Sequence, residues 1–370
     1  MEINLKMKIK ILISISLIII LGMILSACGG GAGITTSWAG MTVDESRNQV
    51  YIAHGTDIYA VNLDNGAEKW RYPEKPDNKT NYYAPPALTD DGQLIAGSYS
   101  HMLYSLNPDN GQINQGNWPF AEAKDLYVAG PLASDGVIFA PNNDYNLYAV
   151  KTDGTDLWSF SAGQYLWSTP AKDDGTLYLP SLDHYIYAID AANGEQVWQS
   201  EKLNGSMAGS PTLSDDGKLF MGTFGGQMAA LDTSNGQIDW SFDADNWVWG
   251  GPALKDGVAY FGDMAGTLYA VDASSGQQVW KVSDAGKGGI VGNPVIDGDT
   301  IYFTAREGGL YAVNVSDGSL KWNKPVGGIL YNTPLLSGDK ILVAPVNTEY
   351  LAYAFDRDGN ITWQYKPERK

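Results

Sequence analysis

Cysteine is almost absent from this chain, since Cys28 is the single one among 370 residues. No intrachain disulfide is therefore possible, and a thiolate metal site would lack a second cysteine ligand. Basic residues are also few: 24 Lys and Arg stand against 42 Asp and Glu, and the formal net charge is −18. A protein this acidic is a poor partner for nucleic acid or for an anionic lipid surface.

The longest apolar segment, residues 11–24, is shorter than a membrane-spanning helix. It covers about 14 residues, whereas about 20 are needed to cross the hydrocarbon core. Three lysines precede it, and a lipobox-like sequence, LSAC, ends at Cys28. We therefore predict a lipoprotein signal peptide at residues 1–27 and a lipidated Cys28 that begins a flexible, glycine-rich tether at residues 28–36. The alternative is an ordinary signal anchor with an incidental cysteine.

Lipid on Cys28 would decide the compartment. Each buried CH₂ group contributes about 0.8 kcal/mol, so two or three acyl chains anchor a protein stably. No Asp follows Cys28, which favours the outer membrane in a host with two membranes and the cell surface in a host with one. Without residues 1–27 the formal net charge changes from −18 to −20, because that segment contains three lysines and one glutamate.

Tryptophan recurs along the rest of the chain at a nearly constant interval. Eight of the 12 tryptophans lie 40 to 48 residues apart, at Trp70, Trp118, Trp158, Trp198, Trp240, Trp280, Trp322 and Trp363. A period in the forties indicates one supersecondary unit that is copied many times. Eight such units use almost the whole chain after residue 36 and leave no room for a separate catalytic domain.

One repeat, residues 250–282, shows how the unit is composed. Four short apolar runs alternate with turn residues, and the runs are rich in the β-branched and aromatic residues that suit a sheet. Pairs such as Asp256-Gly257 supply the positive φ that tight antiparallel connections need. Proline opens the second to eighth units, at a position that tolerates a missing backbone donor.

Four antiparallel strands repeated eight times predict an all-β protein, an eight-bladed β-propeller of four-stranded antiparallel blades at residues 37–366. A solenoid is the alternative. Each blade comes from one continuous repeat, so we expect the ring to close by packing of blade one against blade eight. The periodic tryptophans then pack between blades, and Trp240→Ala is expected to cost about 3–5 kcal/mol if the indole is buried.

The third and fourth strands of each unit carry a family pattern. In the repeat above it reads LYAVD at residues 268–272, followed by Gly276 and Trp280. This pattern resembles the quinoprotein-type (PQQ-like) repeat family over about residues 37 to 366. In size and organisation the chain is similar to BamB-type lipoproteins, which are accessories of the outer-membrane β-barrel assembly machine. The resemblance implies a non-enzymatic scaffold with an envelope protein as its partner.

The family name suggests pyrroloquinoline quinone, but the chain departs from the quinone-dependent dehydrogenases. Those enzymes carry two adjacent cysteines over the cofactor, a calcium site and a catalytic aspartate, and the one cysteine here is assigned to the anchor. No Ser-His-Asp order, glycine-rich phosphate loop or nucleophile elbow stands out. We expect no enzymatic activity and no cofactor, with quinone or Ca²⁺ as the alternatives.

Aromatic residues also recur three positions before the start of a blade. They are Tyr83, Trp167, Trp249 and Tyr331, joined by Trp38 in blade one and by the neighbouring Trp247. In a propeller this position lies near the mouth of the central channel. Trp and Tyr are enriched at binding hot spots, so we predict a partner- or ligand-binding face. The alternative is that these rings only plug the channel or pack on neighbouring loops.

The histidines fall in loops on the same face. His101 and His184 occupy equivalent positions, three residues before the strand-three tyrosine, and we include both in the predicted face. A metal site that combines them with Asp183 or Asp263 is the alternative. Different blades are far apart and no His-x-His spacing exists, so we expect no metal site.

Three classes of function follow. The first is a lipid-anchored, monomeric scaffold that binds a protein of the cell envelope, with BamB-like assembly of outer-membrane β-barrel proteins as its most specific form. The second is a recognition module for a glycan or small ligand at the aromatic face. The third, an enzyme that uses quinone or a metal, lacks recognisable ligands. The acidic charge argues against nucleic acid as a partner in all three classes.

Overall fold

The computed structural model describes residues 39–75 and 79–368, which form strands, turns and loops. This part of the chain contains 31 strands, and no helix in it is long and apolar enough to cross a membrane. The predicted signal peptide, Cys28 with its tether, and Trp38 lie outside the described residues.

The first four blades occupy the N-terminal half of the propeller. Blade one contains β1 (Gly40–Asp44), β2 (Gln49–His54), β3 (Asp57–Asn62) and β4 (Glu68–Tyr72). Blade two contains β5 (Ala87–Leu88), β6 (Leu94–Gly97) and β7 (Leu103–Leu106). Blade three contains β8 (Leu132–Ser134), β9 (Val137–Pro141), β10 (Asn146–Lys151) and β11 (Asp156–Ser161). Blade four contains β12 (Ala171–Asp173), β13 (Thr176–Pro180), β14 (Ile186–Asp190) and β15 (Gln196–Gln199).

The other four blades repeat the arrangement. Blade five contains β16 (Thr212–Leu213), β17 (Lys218–Gly222), β18 (Gln227–Asp232) and β19 (Ile238–Asp243). Blade six contains β20 (Ala253–Lys255), β21 (Val258–Gly262), β22 (Leu268–Asp272) and β23 (Gln278–Val282). Blade seven contains β24 (Val295–Asp297), β25 (Thr300–Ala305), β26 (Gly309–Asn314) and β27 (Leu320–Pro325). Blade eight contains β28 (Leu335–Ser337), β29 (Lys340–Val343), β30 (Ala352–Phe355) and β31 (Ile361–Tyr365).

Each sheet is built from strands that follow one another in sequence. In the described residues, seven sheets contain four strands and the sheet of blade two contains three. First strands of neighbouring blades contact one another, as β1 does with β5 and β28 and as β20 does with β24. The sheets therefore surround an axis lined by their first strands, and the predicted eight-bladed β-propeller is confirmed.

Blade two departs from the expected four strands. Beyond β7 the chain pairs through the isolated bridges Leu106↔Ile113 and Leu103↔Phe120. Between the two bridges, Pro119 has no N–H to donate to a ladder. Asn117 instead donates its backbone N–H to the Asp153 carbonyl of blade three. An irregular segment thus replaces the fourth strand while it still carries Trp118 to the neighbouring blade.

The tight turns between first and second strands have the backbone that Asp-Gly pairs provide. In blade six, Asp256 and Gly257 have φ angles of 49° and 75°, as a two-residue type I′ turn requires. The same signs recur at Asp135-Gly136 and Asp174-Gly175. These local sequences therefore favour the hairpin geometry before any contact between blades is made.

The core lies between the blades, because each sheet has apolar side chains on both faces. One cluster joins Tyr260 and Leu268 of blade six to Ile301 and Phe303 of blade seven. Each fully buried Leu, Ile or Phe contributes about 1.5–3 kcal/mol. A single blade cannot bury both of its faces, so stability requires neighbours on either side.

The periodic tryptophans join each blade to the next through the turn that connects strands three and four. Nε1 of Trp240 donates to the Ala273 carbonyl at 3.1 Å. The ring lies on Gly276, where an added Cβ would be 2.6 Å from Trp240 Cε3. Equivalent hydrogen bonds of 2.6–3.1 Å run from Trp70 to Pro108, Trp118 to Thr152, Trp198 to Thr233, Trp280 to Val315, Trp322 to Arg357 and Trp363 to Leu63.

Trp158 differs from the other indoles in its hydrogen bonding. Its ring lies on Gly194, where an added Cβ would be 2.6 Å from Cε3. Its buried Nε1 has no hydrogen-bond partner among the described residues. Trp363 is buried and the other periodic indoles are half-buried. The other junctions therefore have an indole hydrogen bond, whereas the junction between blades three and four has only the packing of the Trp158 ring.

Blade one packs against blade eight to close the ring. The outer strand of blade eight is β31, at the C-terminal end of the propeller. Trp363 Nε1 donates to the Leu63 carbonyl at 2.6 Å, and the Tyr365 hydroxyl donates to Glu68 Oε2 at 2.5 Å. Buried side chains of both blades form one cluster. This arrangement agrees with the expected closure of the first blade on the eighth.

Replacing Trp240 by alanine should remove both parts of one junction. Loss of the ring and its hydrogen bond is expected to lower the free energy of unfolding by about 3 kcal/mol, the low end for an aromatic residue because Trp240 is half-buried. Urea denaturation followed by circular dichroism would measure the change. A loss below about 1 kcal/mol, typical of a surface site, would mean that the indole does not dock the blades.

Gly276→Ala tests the ring packing, and Gly257→Ala is its matched control. Both glycines lie in turns of blade six, with φ of 70° and 75°, but an added Cβ meets Trp240 at residue 276 and nothing within 4 Å at residue 257. The free energy of unfolding of both variants should fall by about 1 kcal/mol, because alanine is strained in the left-handed backbone conformation. In Gly276→Ala the free energy of unfolding should fall by about 1–3 kcal/mol more, because the new Cβ overpacks against the Trp240 ring. Equal losses in urea would contradict the packing of Trp240 on this turn.

Candidate interaction surface

The order of the strands separates the connections between two faces. In each blade, the loop between strands two and three lies at the same end as the connection that arrives from the previous blade; we call this end the loop face. The turns between strands one and two and between strands three and four lie at the other end, the turn face. The separation follows from the antiparallel order of consecutive strands.

Seven short segments on the loop face lead into the first strands of blades two to eight. Each comprises the five residues before the proline that opens the blade. Together we call them the channel mouth: residues 81–85, 126–130, 165–169, 206–210, 247–251, 289–293 and 329–333. None of these residues is Asp, Glu, Lys or Arg, although charged residues make up 18% of the chain. Because the first strands line the axis, these segments surround the opening of the central channel.

Burial and a repeated hydrogen bond hold the backbone of the channel mouth. The second residue of each segment is buried: Tyr82, Tyr127, Leu166, Met207, Val248, Ile290 and Leu330. The carbonyl of the first residue accepts a backbone N–H from the loop between strands two and three. The bond from Leu182 to Tyr165 measures 3.1 Å, and that from Met264 to Trp247 measures 2.9 Å. Because the second side chain of each segment is buried, the side chains of the first and third residues lie toward the loop face.

The predicted tryptophans occupy the first and third places of these segments. Trp167 donates its Nε1 to Asn143 Oδ1 at 2.7 Å, and the ring centroids of Trp249 and Phe224 are 4.8 Å apart. Asn143 and Phe224 are equivalent residues in the preceding blade, so both indoles reach back over that blade's loop. Trp247 stacks on the same Phe224, with 5.4 Å between centroids. Each indole is half-buried and held in place by its neighbour.

Tyr83 and Tyr331 are also half-buried at the channel mouth. Tyr83 packs on Tyr99 with 4.0 Å between ring centroids, and burial raises the pKa of the Tyr83 phenol. Tyr331 packs against the cluster that joins blades one and eight. The predicted aromatic residues are therefore spread around the mouth, on different blades. Among those that the structure describes, only Trp247 and Trp249 lie together.

Sequence reasoning missed an exposed tyrosine pair between blades three and four. The rings of Tyr145 and Tyr165 meet edge to face with 5.1 Å between centroids, and each residue is 37% exposed. The nearby Tyr145 phenol, together with burial, raises the pKa of Tyr165. Tyr165 has the same place in its segment as Trp247 two blades later, so an alignment of the repeats would have found it.

His101 and His184 occupy the left-handed position of the loops between strands two and three. Their φ angles are 66° and 80°, and Tyr145 has 74° at the equivalent place in blade three. Blades five to seven carry glycine there, at Gly226, Gly266 and Gly308. The turn geometry therefore accounts for the equivalence of the two histidines. They lie in separate loops of different blades, with His101 exposed and His184 half-buried.

The aspartates considered as metal ligands are occupied by hydrogen bonds. Asp263 is fully buried and accepts three backbone N–H groups at 2.9–3.1 Å and the Tyr269 hydroxyl at 2.9 Å. Asp183 accepts the Tyr187 hydroxyl at 2.7 Å. These carboxylates shape their loops and hold the strand-three tyrosines. Within residues 39–75 and 79–368, no three His, Cys, Asp or Glu are grouped so that they could hold a metal ion.

The repeats match one family model over most of the chain. This model describes the outer membrane protein assembly factor BamB, and it matches residues 53–183, 182–287 and 264–370. The chain belongs to this family. The matched segments run from the end of β2 in blade one to the end of blade eight, so the match covers most of the propeller and not one repeat alone.

Solved structures similar to this BamB-family chain share its fold. BamB from Moraxella catarrhalis is 18% identical, with a TM-score of 0.65 over 84% of this chain and 91% of that chain. The computationally designed Ika8 protein is 12% identical, with a TM-score of 0.69 over 89% and 96%. The C-terminal WD40 domain of Sif2 is 12% identical, with a TM-score of 0.67 over 84% and 94%. A comparison with curated protein sequences gives no significant match.

Membership of the BamB family and the propeller fold together describe a protein-interaction scaffold in general terms. At identities of 12–18% the similar structures show the fold alone, so the site must be argued from the residues of this chain. The residues that stand out are the uncharged, aromatic ones of the channel mouth.

Asp263→Ala should show whether this carboxylate is structural. The substitution leaves three backbone N–H groups, of which that of Thr267 is buried, and the buried Tyr269 hydroxyl without their acceptor. The free energy of unfolding is expected to fall by about 3 kcal/mol. Asp263→Asn keeps one acceptor oxygen for some of these donors, so its free energy of unfolding should fall by less than that of Asp263→Ala. Urea denaturation would measure both variants. A gain in wild-type stability on addition of Ca²⁺, lost in Asp263→Asn, would argue instead for a metal ligand.

Proposed function

We propose that this chain is a lipid-anchored, extracytoplasmic and non-enzymatic scaffold that binds an envelope protein through its channel mouth. Its most specific form is a role in the assembly of outer-membrane β-barrel proteins, in keeping with the description of its family. The observation that carries the proposal is the channel mouth, which combines half-buried Trp and Tyr side chains with a complete lack of charged residues.

Such a surface suits a protein partner for two physical reasons. Burial of uncharged side chains costs little desolvation, whereas a buried charge must find a compensating partner. Side chains that are already held, as Trp167 is by Asn143 and Trp249 is by Phe224, lose little conformational freedom on binding. Trp and Tyr in such positions act as hot spots, where truncation costs about 2 kcal/mol or more.

The lipobox that ends at Cys28 supports an anchor in the membrane. The absence of Asp after Cys28 favours the outer membrane in a host that has one, and the cell surface in a host with a single membrane. A monomer is supported by the spread of exposed apolar residues over separate outer strands, since isolated apolar residues do not make an interface. These residues are Leu157, Val197, Val279, Leu320 and Ile361.

A second candidate function is recognition of a glycan or another small ligand. The pair Tyr145 and Tyr165 favours it, because both rings are substantially exposed and meet at the mouth between two blades. Aromatic rings with a few polar groups beside them are typical of small-molecule sites. The pair lies on the same face as the proposed protein-binding residues.

The first experiment is an affinity capture of the mature protein from membranes of its own host. Trp167→Ala/Trp249→Ala should weaken binding by about 2 kcal/mol per residue, or about 30-fold each. The matched control is Val197→Ala/Val279→Ala, which removes two exposed apolar side chains from the outer strands. Urea denaturation of both variants would establish that the propeller remains folded.

Each outcome of the capture bears on one candidate. Recovery of a β-barrel assembly protein with the wild type and the control, but not with the tryptophan variant, supports the scaffold and its location at the mouth. Recovery with all three chains contradicts the location. Recovery of no protein, together with glycan binding that depends on Tyr145 and Tyr165, favours the second candidate.

A further inference from the structure

Two exposed aromatic side chains of the propeller come from different blades and meet. Tyr145 lies in the loop between strands two and three of blade three, and Tyr165 is the first residue of the channel-mouth segment that leads into blade four. Among residues 39–75 and 79–368 they are the only exposed aromatic residues. Their ring centroids are 5.1 Å apart and the ring planes cross at 66°. These two rings, here called the tyrosine pair, therefore form an angled aromatic surface that solvent reaches.

Tyr145 stands at a backbone position that favours glycine. Its φ is 74°, and a bulky residue in this left-handed region is an outlier that costs free energy. The corresponding loops of five other blades have glycine or asparagine with positive φ: Gly55, Gly226, Gly266, Gly308 and Asn347. Burial does not explain the tyrosine, since the residue is 37% exposed. Backbone strain of this kind is concentrated at functional sites such as ligand clamps, so the position of Tyr145 points to a role for its ring in binding.

Acidic residues predominate around the tyrosine pair. The Tyr145 carbonyl accepts the Ala162 N–H at 2.9 Å, and the Tyr165 carbonyl accepts the Leu182 N–H at 3.1 Å. The loop that carries Tyr145 is bonded in turn to residue 126 of the preceding connection. The segments brought together in this way are residues 120–126, 142–146, 161–167 and 181–185. They contain four Asp or Glu, one Lys and one His, so the surroundings of the pair favour a cation over an anion.

Asp125 is the carboxylate that acts on the tyrosine pair. The Tyr145 phenol, burial and the Asp125 carboxylate each raise the pKa of the Tyr165 phenol. Asp144 and Asp183 of the same segments are engaged elsewhere, because they accept the hydroxyls of the strand-three tyrosines of their blades at 2.6 and 2.7 Å. Asp125 therefore places a negative charge near an exposed aromatic ring, where a bound cation would meet both.

We infer that the tyrosine pair binds a small organic ammonium ion, with the two rings against the cation and Asp125 as the opposite charge. Aromatic rings attract ammonium groups through their quadrupole, and angled rings beside a carboxylate suit quaternary ammonium ions in particular. The inference rests on the second candidate function, recognition of a small ligand, and narrows its ligand class. A neutral sugar would make no use of the charge of Asp125, and an anionic ligand would be repelled by it.

Titration with choline chloride tests the ligand class. The full chain is kept in a polyoxyethylene detergent, which has neither a sugar nor an ammonium headgroup, and binding is followed by ligand-observed NMR at constant ionic strength. The matched probe is 3,3-dimethyl-1-butanol, which has the shape of choline without its charge. We expect choline to bind about tenfold more tightly than this neutral alcohol, because the attraction between cation and ring is lost in the alcohol.

Variants of the two rings locate the binding site. Tyr165→Ala and Tyr145→Gly should each weaken choline binding about tenfold, and glycine suits the left-handed backbone at residue 145. Tyr165→Phe keeps the ring and should bind choline as the wild type does. The control is Tyr350→Ala, which removes a half-buried ring from the equivalent loop of blade eight and should leave choline binding unchanged. Urea denaturation would establish that each variant remains folded.

Variants of charge test the carboxylate. Asp125→Asn should weaken choline binding several-fold and leave binding of the neutral alcohol unchanged, because only the cation interacts with the lost charge. Asp358→Asn is the matched control, since Asp358 is exposed in a turn of the turn face. Equal effects of the two substitutions would mean that Asp125 has no specific part in the site.

The outcomes separate this inference from the function on which it rests. Choline binding that requires both rings and exceeds binding of the neutral alcohol supports it. Equal binding of choline and the alcohol overturns the ammonium class, and so does binding of a neutral saccharide that is lost in Tyr165→Ala; both results leave the second candidate function intact. Binding of phosphatidylcholine vesicles without binding of free choline overturns the assignment of a small ligand. If none of these probes binds in a way that depends on the tyrosine pair, the inference and the second candidate fail together.

Discussion

The contact between a strand-four indole and the glycine turn of the next blade is the interaction on which the ring depends. Each sheet has two apolar faces and needs a neighbour on both sides, so the junctions decide whether the blades assemble. Trp240 supplies ring area against Gly276 and an N–H for the Ala273 carbonyl. Glycine is required because the turn has positive φ and because the ring leaves no space for a Cβ. Because this contact is repeated from blade to blade, Trp and Gly recur at a regular spacing in the sequence.

The same repeat chemistry divides the propeller into two unlike faces. Tight hairpin turns need residues that accept positive φ, and Asp, Asn and Gly supply it. The antiparallel order collects the Asp-Gly and Asn-Gly hairpin turns on one face, which becomes acidic as a consequence. The connections on the loop face are longer, and their backbone is held by buried side chains and by hydrogen bonds between loops. They are free to carry Trp and Tyr, so recognition and hairpin chemistry do not compete for the same positions.

The local sequence pattern predicted the structure well wherever one blade resembles the next. The tryptophan period, the opening prolines and the Asp-Gly turns predicted eight blades, and the structure has them. Blade two differs in detail, because its chain beyond β7 pairs only through isolated bridges, with Pro119 between them and Asn117 bonded to blade three. The supports of the mouth, Asn143 and Phe224, could not be predicted, because each meets its tryptophan across a blade boundary. The equivalence of His101 and His184 was visible in sequence, but its cause is a left-handed turn position that only φ reveals.

By itself, the sequence determined the fold class, the number of repeats, the residues at the blade junctions and the lack of charge in the segments that lead into each blade. These are properties of short segments, because turn chemistry, strand pattern and repeat length act over a few tens of residues. Only the tertiary structure decided which residues of different blades meet and which turn carbonyl each indole reaches. Those relations depend on closure of the ring, which brings residues as distant as Leu63 and Trp363 into contact.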